Sequence, residues 1–135
     1  MLELLLFVNV QTKQLCVLNA QNVKQPPIAC YPVAVAKNKD NTPDGAFTIT
    51  RVVENPSFVS CRTGVNHGQG FLGDLAIVTN KETSPGCSYA IHGTNDDSSI
   101  GTEISDGCTR LRNKDVNHLK THYLPYVVGG YVQNK

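Results

Sequence analysis

The segment "LELLLFVNVQTKQLCVLNA" (residues 2–20) contains two strand-like runs, residues 2–10 and 13–20, with only two residues between them. Apolar runs joined by so short a connection are typical of a tight β-hairpin. The first run carries Glu3 where a signal peptide has positive residues, and it is shorter than the roughly 20 residues that span a bilayer. We therefore interpret it as a buried strand. An excised domain, or a protein exported by a route other than Sec, would show the same start.

Further strand-like segments alternate with turn residues toward the C-terminus. They are residues 28–36, 46–53, 75–79, 87–91 and 126–132. Pro32 in the first of these indicates an edge strand or a bulge, and "NTPDG" (residues 41–45) predicts a turn. Residues 54–73 form an unusually long connection, which indicates a functional loop or a lid.

One helix is predicted near the C-terminus. Asn113 is its candidate cap, and Asp115 in the first turn complements the helix dipole. Pro125 ends the helix. Its apolar face, at positions i, i+3 and i+7, consists of Val116, Leu119 and Tyr123. Many strands and one short helix favour an all-β sandwich or barrel, and a chain of 135 residues suits a single domain over residues 1–135.

Composition and charge argue against several classes of function. Apolar residues make up 40% of the chain and charged residues 17%, as in an ordinary globular domain. The formal net charge of +1 gives no long-range attraction to nucleic acid or to an anionic membrane. No basic run interleaves with aromatic residues. We therefore expect no nucleic-acid partner and no membrane insertion.

The five cysteines leave their redox state open. An odd number fits one free thiol and up to two disulfide bonds, with three possible pairings of the other four, and it fits five reduced thiols equally well. No C-x-x-C pair occurs, so the common zinc and thioredoxin-like spacings are absent. The cysteines are Cys16, Cys30, Cys61, Cys87 and Cys108.

His92 and Cys108 are the candidate catalytic pair. His92 directly follows a predicted strand, and an imidazole that takes the proton of a thiol makes it a strong nucleophile. Gly107 permits a sharp turn before Cys108 that aims successive backbone N–H groups at one point, where they would stabilise an oxyanion. Arg110 shares a face with Cys108 in an extended segment and could clamp a carboxylate. The alternative is a small buried thiol near a turn histidine.

The segment "IHGTNDDSSIGTEISDGCTRLRNKDV" (residues 91–116) resembles the active-site signature of the L,D-transpeptidases, the YkuD-type catalytic domain. That signature reads H-G-T, about a dozen residues, then S-H/N-G-C-x-R/N. Upstream, "YPVAVAKNKDNTPDGAFTI" (residues 31–49) resembles the family's P-V-x-x-G-K…T-P-x-G-x-F-x-I segment. The first hairpin and "FLGDLAIV" (residues 71–78) also resemble family segments, in the right order. The resemblance implies a mostly β fold, a β-sandwich of mixed sheets with one short C-terminal helix.

The resemblance also implies roles for particular residues. Cys108 would be the nucleophile that a peptidoglycan stem peptide acylates, His92 would be its base, and the carbonyl of Gly93 would orient the imidazole. Ser105 would brace the turn, and Arg110 would hold a substrate carboxylate or support the loop. The oxyanion hole would consist of the amides of Asp106, Gly107 and Cys108, and substrate binding would fall to Arg110, Ser105 and Thr94. No cofactor and no metal are implied.

Several outcomes share this acyl-enzyme. The thioester would pass to an amine of a neighbouring stem in transpeptidation, to water in L,D-carboxypeptidation, or to a free D-amino acid in exchange. Carbapenem-type inhibitors would acylate the same cysteine. A secreted antibacterial toxin with an immunity protein, and a non-catalytic cell-wall-binding domain, are the alternative functions.

Three departures from the family pattern matter. Asp106 stands where the family has histidine or asparagine, and a carboxylate there should raise the pKa of Cys108; we expect Asp106 to pair with Arg110 or to face solvent. Ala36 precedes Lys37 where the family favours glycine. No signal peptide is visible, although the family's substrate lies outside the cytoplasmic membrane. A periplasmic or cell-wall location would therefore need export by a non-Sec route, unless the chain is an excised domain or acts on a cytoplasmic precursor.

Other marked residues are given structural interpretations. His67 in "GVNHGQG" is expected to be a solvated loop residue, and "NDDSS" (residues 95–99) a solvated turn, because it lacks calcium-loop spacing. A zinc site is the less favoured alternative. Its ligands would be Cys87, His92, Cys108 and His67.

Overall fold

The computed structural model describes residues 2–135. Within them, strands alternate with turns as far as a single α-helix, α1 (Asn113–His122), which a last strand follows. In chain order the strands are β1 (Leu4–Asn9), β2 (Gln14–Asn19), β3 (Ala29–Ala36), β4 (Gly45–Phe47), β5 (Ile49–Glu54), β6 (Ser57–Val59), β7 (Asn66–Gln69), β8 (Leu75–Ser84), β9 (Cys87–His92), β10 (Glu103–Ser105), β11 (Thr109–Leu111) and β12 (Val127–Gln133).

The hairpin predicted for residues 2–20 is confirmed. Strands β1 and β2 are antiparallel, with Leu4 opposite Asn19 and Asn9 opposite Gln14. Side chains of a strand alternate between its two faces, and every second residue of β1 is fully buried up to Val8. The apolar start of the chain is therefore a core strand.

The strands form a mixed β-sandwich, as expected. Their order along the main sheet is β4-β12-β1-β2-β3-β11-β9-β8-β5, and β10 pairs with β3 beside this path. The pairs β1–β12, β9–β11 and β3–β10 are parallel, whereas the others are antiparallel. The two ends of the path, β4 and β5, are consecutive in the chain, so the sheet folds back toward its own beginning.

A single cluster of apolar side chains lies between the two halves of this folded sheet. The rings of Phe47 on β4 and Tyr89 on β9 meet edge to face across it, with centroids 6.3 Å apart. Val116 and Leu119 of α1 are fully buried in it, as predicted for the apolar face of the helix, whereas Tyr123 follows the end of the helix and packs against the cluster only partly buried. Its largest fully buried members are Tyr89, Leu4, Leu6, Leu15, Leu75, Ile77, Ile91, Leu111 and Leu119.

Two strand predictions are wrong. Residues 46–53 form two strands that join different halves of the sheet, because the chain crosses over at Thr48: β4 pairs with β12 and β5 with β8. Pro32 does not mark an edge, since β3 lies inside the sheet. It pairs with β2 as far as Pro32 and with β11 from Val33 onward. Proline is accommodated at this change of partner.

The helix begins differently from the prediction. Asn113 is its first residue rather than its cap, and the side-chain Oδ1 of Asn113 accepts a hydrogen bond from the backbone N–H of Asp74, 2.7 Å away. Asn113 thus fixes the turn before β8 instead of satisfying helix N–H groups. Asp115 lies in the first turn and the helix ends at His122, ahead of Pro125, as expected.

The long connection predicted for residues 54–73 contains a second small sheet. Strands β6 and β7 pair as an antiparallel hairpin, with Phe58 opposite Gly68. A disulfide bond between Cys61 and Cys87 ties this hairpin to the start of β9. A second disulfide bond, Cys16–Cys30, joins the neighbouring strands β2 and β3, and Cys108 is the remaining free thiol.

Substitution of Leu111 tests whether the short strand β11 is part of the core. The side chain is fully buried, and Leu111→Ala is expected to lower the free energy of unfolding by about 2–5 kcal/mol, measured by urea denaturation. Val128→Ala on β12 is the control, because Val128 is 54% exposed, and its effect should stay within about 0.5 kcal/mol. Equal effects of the two substitutions would contradict this packing.

Candidate active site

Strand β9 carries His92 at its end. Tyr89 and Ile91 point into the core and are fully buried. Because side chains alternate along a strand, Ser88, Ala90 and His92 share the opposite face. His92 is nevertheless only 3% exposed, since the segments around the site cover it.

Strand β11 brings Cys108 to this same face. It runs parallel to β9, with Thr109 opposite Ile91 and Arg110 opposite His92. Cys108 is the residue immediately before β11, so it lies alongside the preceding part of β9. Its Sγ accepts a hydrogen bond from the N–H of Ala90 at 3.4 Å and donates weakly to the carbonyl of Ser88 at 3.9 Å.

The imidazole of His92 is held by its own neighbour. Its Nδ1 lies 2.5 Å from the carbonyl oxygen of Gly93. A carbonyl only accepts, so Nδ1 carries the proton in this bond and Nε2 keeps its lone pair. This contact is the one that the family resemblance implied for Gly93.

Burial keeps His92 neutral. Burial and, to a smaller extent, the positive charge of Arg110 lower the pKa of the imidazole to about 4, although the Gly93 hydrogen bond acts in the opposite direction. At neutral pH the ring is therefore an unprotonated base, with the Nε2 lone pair available.

The turn before Cys108 is fixed by hydrogen bonds on both sides. The hydroxyl of Ser105 donates to the carbonyl of Cys108 at 2.5 Å and accepts from the N–H of Gly107 at 3.3 Å. Thr42 donates to the carbonyl of Gly107 at 3.0 Å. Gly107 has φ of +142°, and a Cβ there would lie 2.5 Å from the carbonyl oxygen of Asn41. Only glycine fits this position, and Ser105 braces the turn as expected.

The thiol of Cys108 is protonated at rest. Burial raises its pKa above the ordinary value, and the charge of Asp106 raises it further. The Ala90 hydrogen bond and the charges of Arg110 and Arg62 act in the opposite direction but are outweighed. A neutral thiol and a neutral imidazole therefore occupy the site, rather than a preformed ion pair.

Asp106 faces solvent, which confirms one of the two placements expected for it. The guanidinium of Arg62 donates to its backbone carbonyl at 2.7 Å, and not to its carboxylate. Arg110 is half-buried, with its guanidinium carbon 5.6 Å from the ring centroid of Phe71. Its Nε is buried without a hydrogen-bond partner among the described residues, so Arg110 has a donor to offer a ligand.

Two cavities meet at His92 and Cys108. The first encloses about 220 Å³ and is lined by Phe58, Ser60, Cys61, Arg62, His67, Phe71, Leu72, Thr83, Cys87, Ser88, His92, Ser105, Asp106, Cys108 and Arg110. The second encloses about 300 Å³ and is lined by Arg51, Val53, Pro56, Ser57, Phe58, Val59, Cys61, Leu72, Ala76, Val78, Ser88, Ala90, His92 and Cys108. The β6–β7 hairpin contributes to both walls.

Three predicted site residues do not line these cavities: Gly93 and Gly107, which act through their backbone, and Thr94, which was expected to bind substrate. Thr94 is 3% exposed, and its hydroxyl accepts a hydrogen bond from the N–H of Asp96 at 3.1 Å. Its hydroxyl thus closes the turn after β9. Substrate binding by Thr94 stays a prediction that the cavity walls do not support.

The aromatic wall of the first cavity was not predicted. His67 is exposed, as expected, but its ring stacks on Phe71 at 4.1 Å and near Phe58 at 5.5 Å, and it lines the cavity. The sequence signal that was available is the short apolar run at Phe58, followed by Gly64 and Gly68 at turn positions. The zinc alternative loses a ligand, because Cys87 is bonded to Cys61.

Residues 2–135 contain neither a metal-binding cluster nor a membrane-spanning helix. No group of three or more His, Cys, Asp or Glu side chains there is placed to hold a metal ion. No helix within that range is long and apolar enough to cross a bilayer.

Comparisons with known proteins agree with this fold. The family profile of the YkuD L,D-transpeptidase catalytic domain matches residues 4–125, and the chain belongs to this family. It is 35% identical over 112 residues to the putative L,D-transpeptidase YqjB of Bacillus subtilis, covering 83% of this chain and 61% of YqjB. It is 37% identical over 89 residues to the putative L,D-transpeptidase YkuD of the same organism, covering 66% of this chain and 44% of YkuD. The chain thus matches about half the length of these relatives.

Solved structures show the same fold. L,D-transpeptidase 3 from Mycobacterium tuberculosis, in complex with a faropenem-derived adduct, superposes with a TM-score of 0.69 at 15% identity, over 98% of this chain and 60% of that chain. LdtMt1 in complex with imipenem gives 0.69 at 13% identity, over 97% of this chain and 59% of that chain. At such low identity the likeness concerns the fold.

Because His92 is buried, the free energy of unfolding is expected to depend on pH. The pKa of His92, about 4 in the folded protein, lies below its ordinary value of 6.5, so the unfolded chain binds more protons between these values. Stability should therefore fall as the pH falls through this window, by on the order of 3 kcal/mol from this group. Urea denaturation at pH 7 and pH 4.5 measures the loss, and His92→Gln should reduce it. An unchanged loss in the variant would contradict the assignment.

Removing the charge of Asp106 is expected to change the reactivity of Cys108. The Asp106 carboxylate contributes to the raised pKa of the thiol, so Asp106→Asn should lower that pKa. The pH profile of iodoacetamide alkylation, followed by intact mass, would shift to lower pH. Asp97→Asn removes an equal charge from an exposed position outside both cavities and should leave the profile in place. A profile that does not move down in Asp106→Asn would refute this electrostatic role.

Proposed function

We propose that the protein is a cysteine-dependent L,D-transpeptidase that acts on peptidoglycan stem peptides through a thioester on Cys108. Membership of the family supports the reaction class. The observation that carries the proposal is the position of His92 and Cys108 on the walls of the same two cavities, with the imidazole fixed by Gly93 so that Nε2 is free. The other outcomes of the same acyl-enzyme, hydrolysis and exchange, differ only in the acceptor.

In the first step, Cys108 attacks the donor. The thiol leaves its weak contact with the carbonyl of Ser88 and turns toward His92, because hydrogen bonds of a free site often tighten only in the complex with substrate. His92 takes the thiol proton as sulfur attacks the carbonyl carbon of the diamino acid of the stem. The imidazolium then protonates the departing D-alanine, and a thioester remains.

Main-chain donors of the turn before Cys108 stabilise the oxyanion in this step. The N–H of Gly107 is engaged by Ser105 at the long distance of 3.3 Å, so the amides of Asp106 and Cys108 are the principal donors. The fixed turn costs no reorganisation during the reaction, and one such donor contributes about 10²–10³ in rate.

Arg110 is the candidate for holding the donor. Its unpartnered, buried Nε and its charge favour a carboxylate, which each stem peptide carries. The contact of its guanidinium with Phe71 fixes the side chain beside Cys108. Binding of a carboxylate would satisfy the donor that the protein leaves unpaired.

In the second step, an acceptor amine attacks the thioester. A nitrogen–carbon bond forms and the carbon–sulfur bond breaks, while His92 receives the amine proton and returns it to sulfur. Both cavities reach Cys108, so the acyl-enzyme is accessible to an acceptor. We also propose a periplasmic or cell-wall location, because peptidoglycan lies there. The two disulfide bonds support that location, because they persist in oxidising compartments.

Intact-mass measurement tests the thioester directly. The protein is incubated with a tetrapeptide stem donor or with imipenem, and a covalent adduct on Cys108 is expected in each case. Cys108→Ala should form none, whereas Cys16→Ala with Cys30→Ala, which leaves the site untouched, should still form it. A wild-type protein that remains unmodified by both compounds would contradict the proposed function.

A further inference from the structure

Asp106 is the only acidic residue among the described residues that line either cavity. It is exposed, and its carboxylate makes no hydrogen bond or ion pair within the described part of the chain, because Arg62 binds its carbonyl oxygen instead. A free carboxylate two residues from the nucleophile, in the wall of its cavity, is available to a ligand.

The charges around Asp106 show what that ligand must carry. Arg62 and Arg110 line the same cavity, so without Asp106 its fixed charges would all be positive. Such a cavity would repel a primary amine, which is a cation at neutral pH. The second cavity contains Arg51 and no acidic residue, so it offers the amine no compensation either. Asp106 is therefore the group that makes the site compatible with a cationic acceptor.

Asp106 also has a cost for the first step of the proposed reaction. Its charge adds to the raised pKa of Cys108 and so disfavours formation of the thiolate. A neutral side chain at this position would serve acylation better. The later step in which a negative charge here can act favourably is the arrival of an acceptor that carries an ammonium group.

We infer that Asp106 is a specificity-determining residue that binds the ammonium group of the acyl acceptor and raises the share of acyl-enzyme that passes to amines. This inference rests on the proposed function. The bound ammonium gives one proton to solvent before its nitrogen attacks. The second proton passes to His92 and on to the departing sulfur of Cys108, so the thiol is regenerated and an amide is formed.

The partition of the acyl-enzyme tests the inference without depending on the rate of acylation. A tetrapeptide donor is mixed with an acceptor whose amino group is protonated at neutral pH, either D-alanine or a stem tripeptide with a free side-chain amine. Hydroxylamine, which is uncharged at neutral pH, competes in each mixture. The products are quantified by mass spectrometry, and the ratio of amine product to hydroxamate is compared between variants.

Asp106→Asn is expected to lower this ratio about threefold to fivefold at low salt, the size expected for an exposed ion pair. The effect should shrink as the ionic strength rises. Asp106→Glu should restore most of the ratio, and Asp97→Asn should leave it at the wild-type value. An effect on D-alanine alone identifies a free amino acid as the acceptor, and an effect on the tripeptide alone identifies a neighbouring stem.

An unchanged ratio for both amines in Asp106→Asn would overturn the inference while the proposed function stands. Failure of the proposed function looks different, because the wild-type protein would then form neither product nor acyl-enzyme from the donor.

Discussion

The parallel pairing of β9 with β11 is the constraint on which the site depends. Parallel neighbours cannot be joined by a tight turn and need a crossover of about a dozen residues or more. Residues 93–108 supply it between the end of β9 and the start of β11. The spacing of His92 and Cys108 in the sequence is therefore a requirement of the sheet. Because the register sets Arg110 opposite His92, the residue before β11 comes to the same face of β9 as the imidazole.

The burial that this pairing produces determines the protonation states of His92 and Cys108. It disfavours both charged forms, lowering the pKa of His92 and raising that of Cys108. In the proposed mechanism the pair is therefore neutral before the reaction, and charge appears only when the thiol proton moves to Nε2. Before that proton transfer, the Gly93 carbonyl already holds the imidazole, and Ser105 and Gly107 already fix the turn before Cys108.

Local signals allowed much of the fold to be predicted. The first hairpin and the helix face at Val116 follow from periodicity and short connections, which act within a few residues. The split of residues 46–53 at Thr48 could not be predicted in this way, since both parts are strand-like and only their partners, β12 and β8, differ. Asn113 has the residue type of a cap, but a tertiary contact with Asp74 uses its side chain.

The same distinction between local sequence signals and tertiary contacts applies to the candidate site. His92 and Cys108 were predicted because both lie in one motif-bearing segment, and a solvent-facing Asp106 was one of the two placements expected for it. The wall formed by Phe58, His67 and the Cys61–Cys87 bond was not, because disulfide pairing and a hairpin that packs over a distant strand leave no local pattern. The most direct test of the central claim is the acylation rate of Cys108 by imipenem at neutral pH in wild type and His92→Gln. Proton transfer from a neutral thiol to a neutral imidazole predicts a loss of about 10²–10⁴-fold in the variant. Equal rates would contradict it.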